Sequence, residues 1–170
     1  MNYNPISIFW VKKDHVAGSR LPSGQADIGV LYNSGIRRIV SAESAKEVKS
    51  MIARSGYGLE HLPLPIPDFG VPTEEQVKEF ILFLRESLPD SPTLVHCYAG
   101  CGRTGVLLMI YLMCFENLPF DRALANLRSV RPCAVETPKQ QEFLENLDVE
   151  ALRSLARDGH RGGLQRFFRL

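Results

Sequence analysis

A cysteine, two glycines and an arginine in the run His96-Cys97-Tyr98-Ala99-Gly100-Cys101-Gly102-Arg103-Thr104-Gly105 have the types and spacing for phosphoryl chemistry. Glycines at 100 and 102 permit backbone angles that a β-carbon would forbid, so successive N–H groups can curl into an anion-sized nest. Arg103 adds a planar fork able to bind two oxygens of one phosphate. A helix beginning here would add the positive end of its dipole. A thiol held beneath such a focus is favoured as the thiolate, its nucleophilic form. Cys97 is then aimed at the phosphorus that Tyr98, Ala99, Gly100, Cys101, Gly102 and Arg103 hold, which is the arrangement for covalent phosphoryl transfer. A lone cysteine is often only a small buried hydrophobe, so the whole string carries this reading. No Gly-Lys-Ser/Thr follows the glycines, which argues against a nucleotide P-loop.

Two elements must position this run. Ser91-Pro92 leads into Thr93-Leu94-Val95, a short β-rich apolar stretch that predicts a buried central strand. Residues 106–115 are unbroken apolar sequence in strong helix formers and predict a buried helix. The implied geometry is strand, tight loop, helix N-terminus.

With those flanks, His96 to Gly105 resembles the signature loop of the cysteine-dependent protein tyrosine phosphatases. By length the chain is similar to the compact dual-specificity and archaeal-type members, and weaker resemblance covers most of residues 8–147. The resemblance implies that Cys97 attacks phosphorus, Arg103 binds the phosphoryl group, and the Thr104 hydroxyl helps the thiolate leave. Pro67-Asp68-Phe69-Gly70-Val71-Pro72 resembles the acid-bearing loop of that family, with Ile66 where larger members carry Trp. An acid about thirty residues before the cysteine fits this superfamily's order and not that of the low-molecular-weight phosphatases. Asp68 is therefore the expected general acid. Family members often show two glutamines, four apart, that position the hydrolytic water; here Glu136 stands first and Gln140 second. Thr137 with Gln140 equally makes a plain capping box.

The rest of the chain supplies supports. Residues 7–11 read as a strand, and Ala17 to Pro22 resembles the family's entry segment, with Arg20 either near the substrate pocket or, the favoured reading, on the surface. Ser23 is expected to cap a helix running to Asn33, with Gly35 as its stop. Residues 37–42 read as a core strand ending at Glu43. Strand C-terminal ends are where open α/β sheets place ligands, so Glu43 either holds Arg103 in a buried ion pair or is an acid in the first turn of the helix over 44–54. Prolines 63, 65 and 67 force an extended course, with His61 a strand residue. Thr73-Glu74-Glu75-Gln76 is a capping box, starting a helix with Val77, Phe80, Ile81, Leu84 and Leu88 on one face. A short helix after Pro119 ends before Arg131-Pro132, a pair within a segment that resembles a common structural one of the family. A last helix from about residue 137 carries Phe143, Leu144, Leu147, Ala151 and Leu155 as its buried stripe.

Composition bounds the class. The chain has 170 residues, 45% of them hydrophobic and 23% charged, which fits one globular domain with one core. A net charge of +1 argues against binding nucleic acid through bulk electrostatics. The longest apolar run is about half a membrane span, and the N-terminus lacks a signal-peptide pattern. Cysteines 97, 101, 114 and 133 show no metal spacing and no disulfide framework, so a reducing cytoplasm is expected. Cys101 is either a resolving thiol for Cys97 or a side chain packed behind the loop.

The expectation is a three-layer α/β sandwich with a mixed sheet of about five strands, as one phosphatase domain over residues 1–157 and a basic tail over 158–170. Its expected activity is hydrolysis of phosphotyrosine in a phosphorylated protein through a phosphocysteine, with phosphoserine and phosphothreonine as further candidates. Phe69 and Tyr98 are placed to stack on an aryl ring. No cofactor, metal, nucleic acid or membrane is called for, and the chain is expected to be a monomer. The alternatives are a phosphoinositide phosphatase, an RNA 5′-phosphatase, and a catalytically weak phosphate-binding module. Tyr98, Ala99 and Cys101 stand where loop lysines would meet extra phosphates, the modest charge disfavours RNA, and a binding module would have lost the Cys, the Arg or the acid.

Overall fold

The structure is a computed structural model that describes residues 4–158. Within them five strands, β1 (Phe9–Lys12), β2 (Val16–Ser19), β3 (Arg38–Ser41), β4 (Glu60–Pro63) and β5 (Thr93–His96), form one sheet in the order β1-β2-β5-β3-β4. Only the β1–β2 pair is antiparallel. Strands β2, β3 and β5 are buried at every residue, as parallel strands covered on both faces must be.

The two-residue period of a strand separates two cores. Ala17, Ile39 and Leu94 face helices α1 (Gln25–Asn33) and α2 (Lys46–Ser55), packing with Ile28, Leu31 and Val48. Their neighbours Val16, Val40 and Val95 turn to the opposite face. There they meet α3 (Glu74–Ser87), α4 (Gly102–Cys114), α5 (Phe120–Val130), α6 (Pro138–Glu145) and α7 (Val149–Arg157). The result is the three-layer α/β sandwich expected. All of α4 is buried, which is why its sequence is apolar all round rather than striped. Each fully buried Leu or Ile there contributes about 1.5–3 kcal/mol, so packing anchors the helix whose N-terminus closes the loop at 97–101.

Register then sets the site. Ser19 and Ser41 both pair with His96, and Ser41 also pairs with Pro63. Four parallel strands therefore end level, and the chain leaving each one emerges at the same edge. The capping box at α3 is present: Gln76 N donates to Thr73 Oγ1 at 3.2 Å, and Thr73 N donates to Gln76 Oε1 at 3.0 Å.

Three local readings are corrected. Gly24, not Ser23, precedes α1; Ser23 instead donates through both N and Oγ to the buried Asp27 carboxylate, each at 2.9 Å. Val16–Ser19 is a full strand, inserted between β1 and β5. The last helix is two, because Asp148 recaps the chain through Ala151 N at 3.1 Å. The break shifts the helical phase, so Leu152 is buried while Ala151 is exposed. No helix among the described residues is long and apolar enough to cross a membrane. Of the basic tail read over 158–170, residues 159–170 lie outside the described ones.

Candidate active site

Cys97 leaves the end of β5 and is 3% exposed at the base of a small cavity of about 120 Å³. Asp68, Phe69, Tyr98, Ala99, Gly102, Arg103 and Glu136 line the same cavity. The loop's shape is explained by where its carbonyls go. Tyr98 O accepts from Leu21 N at 2.9 Å. Ala99 O and Gly100 O accept from Arg131 at 2.6 and 3.1 Å, and Cys101 O accepts from Gly105 N at 2.8 Å. In a trans peptide the C=O of one residue and the N–H of the next point oppositely. With four successive carbonyls tied outward, the N–H groups of Ala99, Gly100, Cys101 and Gly102 turn toward the cavity, forming an anion nest at the start of α4. Gly100 takes φ +76°, and a β-carbon there would lie 2.5 Å from Ser19 O, so no larger residue fits this bend.

Arg103 is 4% exposed and held as a fixed fork. Its Nη2 donates to Glu43 Oε2 at 2.7 Å, and its Nη1 to Ile66 O at 3.0 Å. Of the two readings of Glu43, the ion pair is the one present; α2 starts only at Lys46. The Ser44 N–H on its carboxylate and then Arg103 hold Glu43 below the usual carboxylate range, against the opposing effect of burial. Asp68 Oδ1 lies 3.3 Å from the same Arg103 Nη2, with most of its side chain exposed.

The loop that bears Asp68 is fastened to α6. Gln140 Nε2 donates to Gly70 O at 3.1 Å, and Thr137 Oγ1 donates to Phe69 O at 3.4 Å. Gln140 Oε1 accepts from Glu136 N and Thr137 N at 2.9 and 3.2 Å, and its own N–H caps onto Thr137 Oγ1. Gln140 is thus a helix cap and a strut for the acid loop, and its amide also lies against Gly102. Phe69 and Tyr98 stand at the mouth, 60% and 69% exposed. Arg20 is half-buried and pairs with Asp27 at 2.9 Å rather than lying free on the surface.

Beneath the loop His96, which heads the signature run, joins Ser41 and His61, which no local sequence signal marks as its partners. His96 is fully buried, with Nδ1 3.0 Å from Cys97 O and Nε2 2.6 Å from Ser41 Oγ. His61 Nε2 is 2.8 Å from that same hydroxyl. A carbonyl only accepts, so His96 carries its proton on Nδ1, Ser41 donates to His96 Nε2, and His61 donates to Ser41. Burial lowers His96 from 6.5 to about 4, opposed by its bond to Cys97 O. The unfolded chain therefore binds this proton at higher pH than the folded one. The stability from His96 is complete above about pH 6.5 and is lost as pH falls toward 4. Between pH 7 and 4.5 this histidine should account for about 2–3 kcal/mol of lost stability. Urea unfolding of His96→Gln should show an acid loss smaller by that amount; an unchanged pH slope would contradict the assignment.

Thr104 Oγ1 is buried and has no hydrogen-bond partner among the described residues. The reading of four unpaired cysteines is corrected: Cys101 and Cys133 are joined by a disulfide, while Cys97 and Cys114 are free and buried. The two half-cystines are 32 residues apart, a spacing that matches no sequence framework, and only the approach of the α5 exit to the loop joins them. Cys101 is thereby unavailable as a resolving thiol. The cysteine argument for a reducing cytoplasm also falls, because disulfides persist in oxidising surroundings.

Comparison with known proteins places this geometry in a family. Residues 5–144 match the model described as a Swiss Army Knife protein, DSP-PTPase phosphatase domain. Mouse dual specificity protein phosphatase CDC14B is 40% identical over 84 residues, covering 49% of this chain and 17% of the mouse protein. Human tyrosine-protein phosphatase non-receptor type 18 is 38% identical over 136 residues, covering 73% of this chain and 29% of the human protein. The chain spans less than a third of the length of either relative. The crystal structure of Tk-PTP in the active form superposes with a TM-score of 0.74 at 30% identity, covering 85% of this chain and 97% of that one. With a nest at a helix N-terminus over a buried cysteine and a match that runs through nearly all the described residues, the chain belongs to the dual-specificity and tyrosine phosphatase family.

Proposed function

We propose that this chain, acting as one domain over residues 1–157, hydrolyses phosphotyrosine in protein substrates in two steps. In the first, Cys97 Sγ forms a bond to phosphorus as the P–O bond to the substrate breaks. Asp68 gives its proton to the departing oxygen, leaving a phosphocysteine. In the second, Asp68 as a carboxylate takes a proton from water while the water oxygen attacks phosphorus. The S–P bond breaks, and Cys97 thiolate and inorganic phosphate are released. Arg103 and the loop N–H groups stabilise the equatorial oxygens throughout. The Thr104 hydroxyl, without a partner among the described residues, is available to donate to the departing thiolate.

The observation that carries this is the nest: four carbonyls tied outward beside a fixed guanidinium, over a buried thiol. Asp68 lies on the edge of the Arg103 fork that a phosphoryl oxygen would take, so substrate displaces its carboxyl group from Arg103 and frees it to carry a proton to the leaving group. The small cavity suits one phosphoryl group, and the exposed rings of Phe69 and Tyr98 suit an aryl ester at its mouth. Matched phosphotyrosine, phosphoserine and phosphothreonine peptides test the reading. The phosphotyrosine peptide should lead in kcat/KM, and a lead by either other peptide, or by a phosphoinositide, would sink it.

Asp68→Asn has a sharper signature than a simple loss. A general acid matters in proportion to the charge the leaving oxygen would otherwise carry, with a typical worth of about 10²–10⁴-fold. Phosphotyrosine and alkyl phosphates should lose most, and a nitrophenyl ester least. The basic limb of the pH–rate profile should flatten as well. An equal loss on every ester, with the basic limb kept, would assign the acid to another residue.

A further inference from the structure

The reaction scheme leaves unused the short segment that grips the phosphate loop from outside. Arg131 Nε donates to Gly100 O at 3.1 Å and its Nη2 to Ala99 O at 2.6 Å, while its guanidinium lies over the Phe9 ring. Two residues later Cys133 is bonded to Cys101, with Cα atoms 5.3 Å apart. We infer that Arg131 and Cys133 form a positioning brace for the phosphate loop, and that the Cys101–Cys133 bond makes the loop's anion affinity sensitive to thiols. The inference rests on reading residues 97–103 as a phosphate cradle, not on which ester is the substrate.

The placement is what gives the bond leverage. Cys101 sits between Gly100 and Gly102, the two residues of the loop with the widest choice of backbone angles. It is also the residue that caps α4, so its peptide joins the nest to the helix. A cross-link at that point removes freedom where the glycines supply most of it, and Arg131 fixes the two peptides just before. Without both, the N–H groups of residues 99–102 are free to turn from the cavity, and a nest works only while they converge. Arg131 Nη2 also lies 3.8 Å from Cys101 Sγ, so the two halves of the brace touch.

Opening the bond takes a dithiol. One thiolate of the dithiol attacks a sulfur of the pair and displaces the other as a thiolate. Its second thiolate then resolves the mixed disulfide. Two electrons pass to the protein, Cys101 and Cys133 become thiols with two protons, and the dithiol leaves as a cyclic disulfide.

Inorganic phosphate is the probe, and full-length protein is compared in three states: oxidised by glutathione disulfide, reduced by a dithiol, and as Cys133→Ser. Calorimetry should find phosphate about tenfold weaker in the two open states. Phosphate should slow iodoacetate alkylation of Cys97 less in both, since a looser nest holds the anion less tightly. The dithiol should change neither reading in Cys133→Ser. Arg131→Lys, a milder variant, should weaken phosphate in the same direction with the disulfide intact. Equal phosphate affinity and equal protection of Cys97 in all three states would overturn the brace while leaving the cradle standing. So would failure of Cys101 and Cys133 to pair under glutathione disulfide. No phosphate binding in any state would remove the cradle itself, and the brace with it.

Discussion

Cys97→Ser should bind inorganic phosphate about as well as the wild type while turning over phosphotyrosine at less than about 10⁻⁴ of its rate. The two halves of that result have separate causes. Binding is carried by backbone N–H groups, whose direction is set by carbonyl partners on Leu21, Arg131 and Gly105, and by Arg103; none involves the Cys97 sulfur. Turnover needs a strong nucleophile at that position, and a serine hydroxyl is a far weaker one than a cysteine sulfur. His96 grips the Cys97 carbonyl rather than its side chain, so the substitution leaves the backbone in place. Calorimetry for phosphate and a continuous assay for turnover check the two halves. Measurable turnover by the serine variant would end the assignment of Cys97 as nucleophile. Loss of binding together with turnover would mean that the thiolate itself helps to hold the loop's shape.

Arg103→Lys should cost on the order of 10²–10³-fold in kcat/KM, the usual loss when one fixed donor to a transition-state oxygen is removed. The guanidinium works here as a plane. One nitrogen is anchored on Glu43 and another on Ile66 O, which sets the direction of the donors that remain for phosphate. An ammonium is a point charge with no such fork, and its three donors cannot hold Glu43, Ile66 O and two phosphate oxygens at once. The loss should be divided between a higher KM and a lower kcat, because the fork holds the phosphoryl group in both ground and transition states. Near-normal kinetics in the lysine variant would remove Arg103 from the phosphate clamp.

Residues 96–105 point to the proposed chemistry because the nest's own parts are contiguous: a strand end, two glycines, an arginine and a helix start. Glycine freedom and a helix start are local backbone preferences, so that pattern is legible in one dimension even though remote partners hold its shape. The α3 capping box and the two-sided burial of β5 were legible for the same reason, since cap chemistry and hydrophobic period act within a few residues. Asp68 was legible as the expected general acid through the resemblance of its proline and glycine loop, but its placement was not. Its place on Arg103 depends on Gln140 and Thr137 fastening that loop across about seventy residues. The pairing of Glu43 with Arg103 was one of two equal readings, because strand register alone brings the end of β3 beside the start of α4. Nothing in the sequence marked Ser41 and His61 as partners of His96, or Cys133 as the partner of Cys101. Those contacts join residues 20 to 55 positions apart, whose identities separately are those of ordinary strand and loop residues. Sequence determined the fold class and pointed to the proposed nucleophile and its cradle, which follow from local pattern. Tertiary structure decided how the cradle is held, because the groups that hold it meet only when the sheet and its helices close around them.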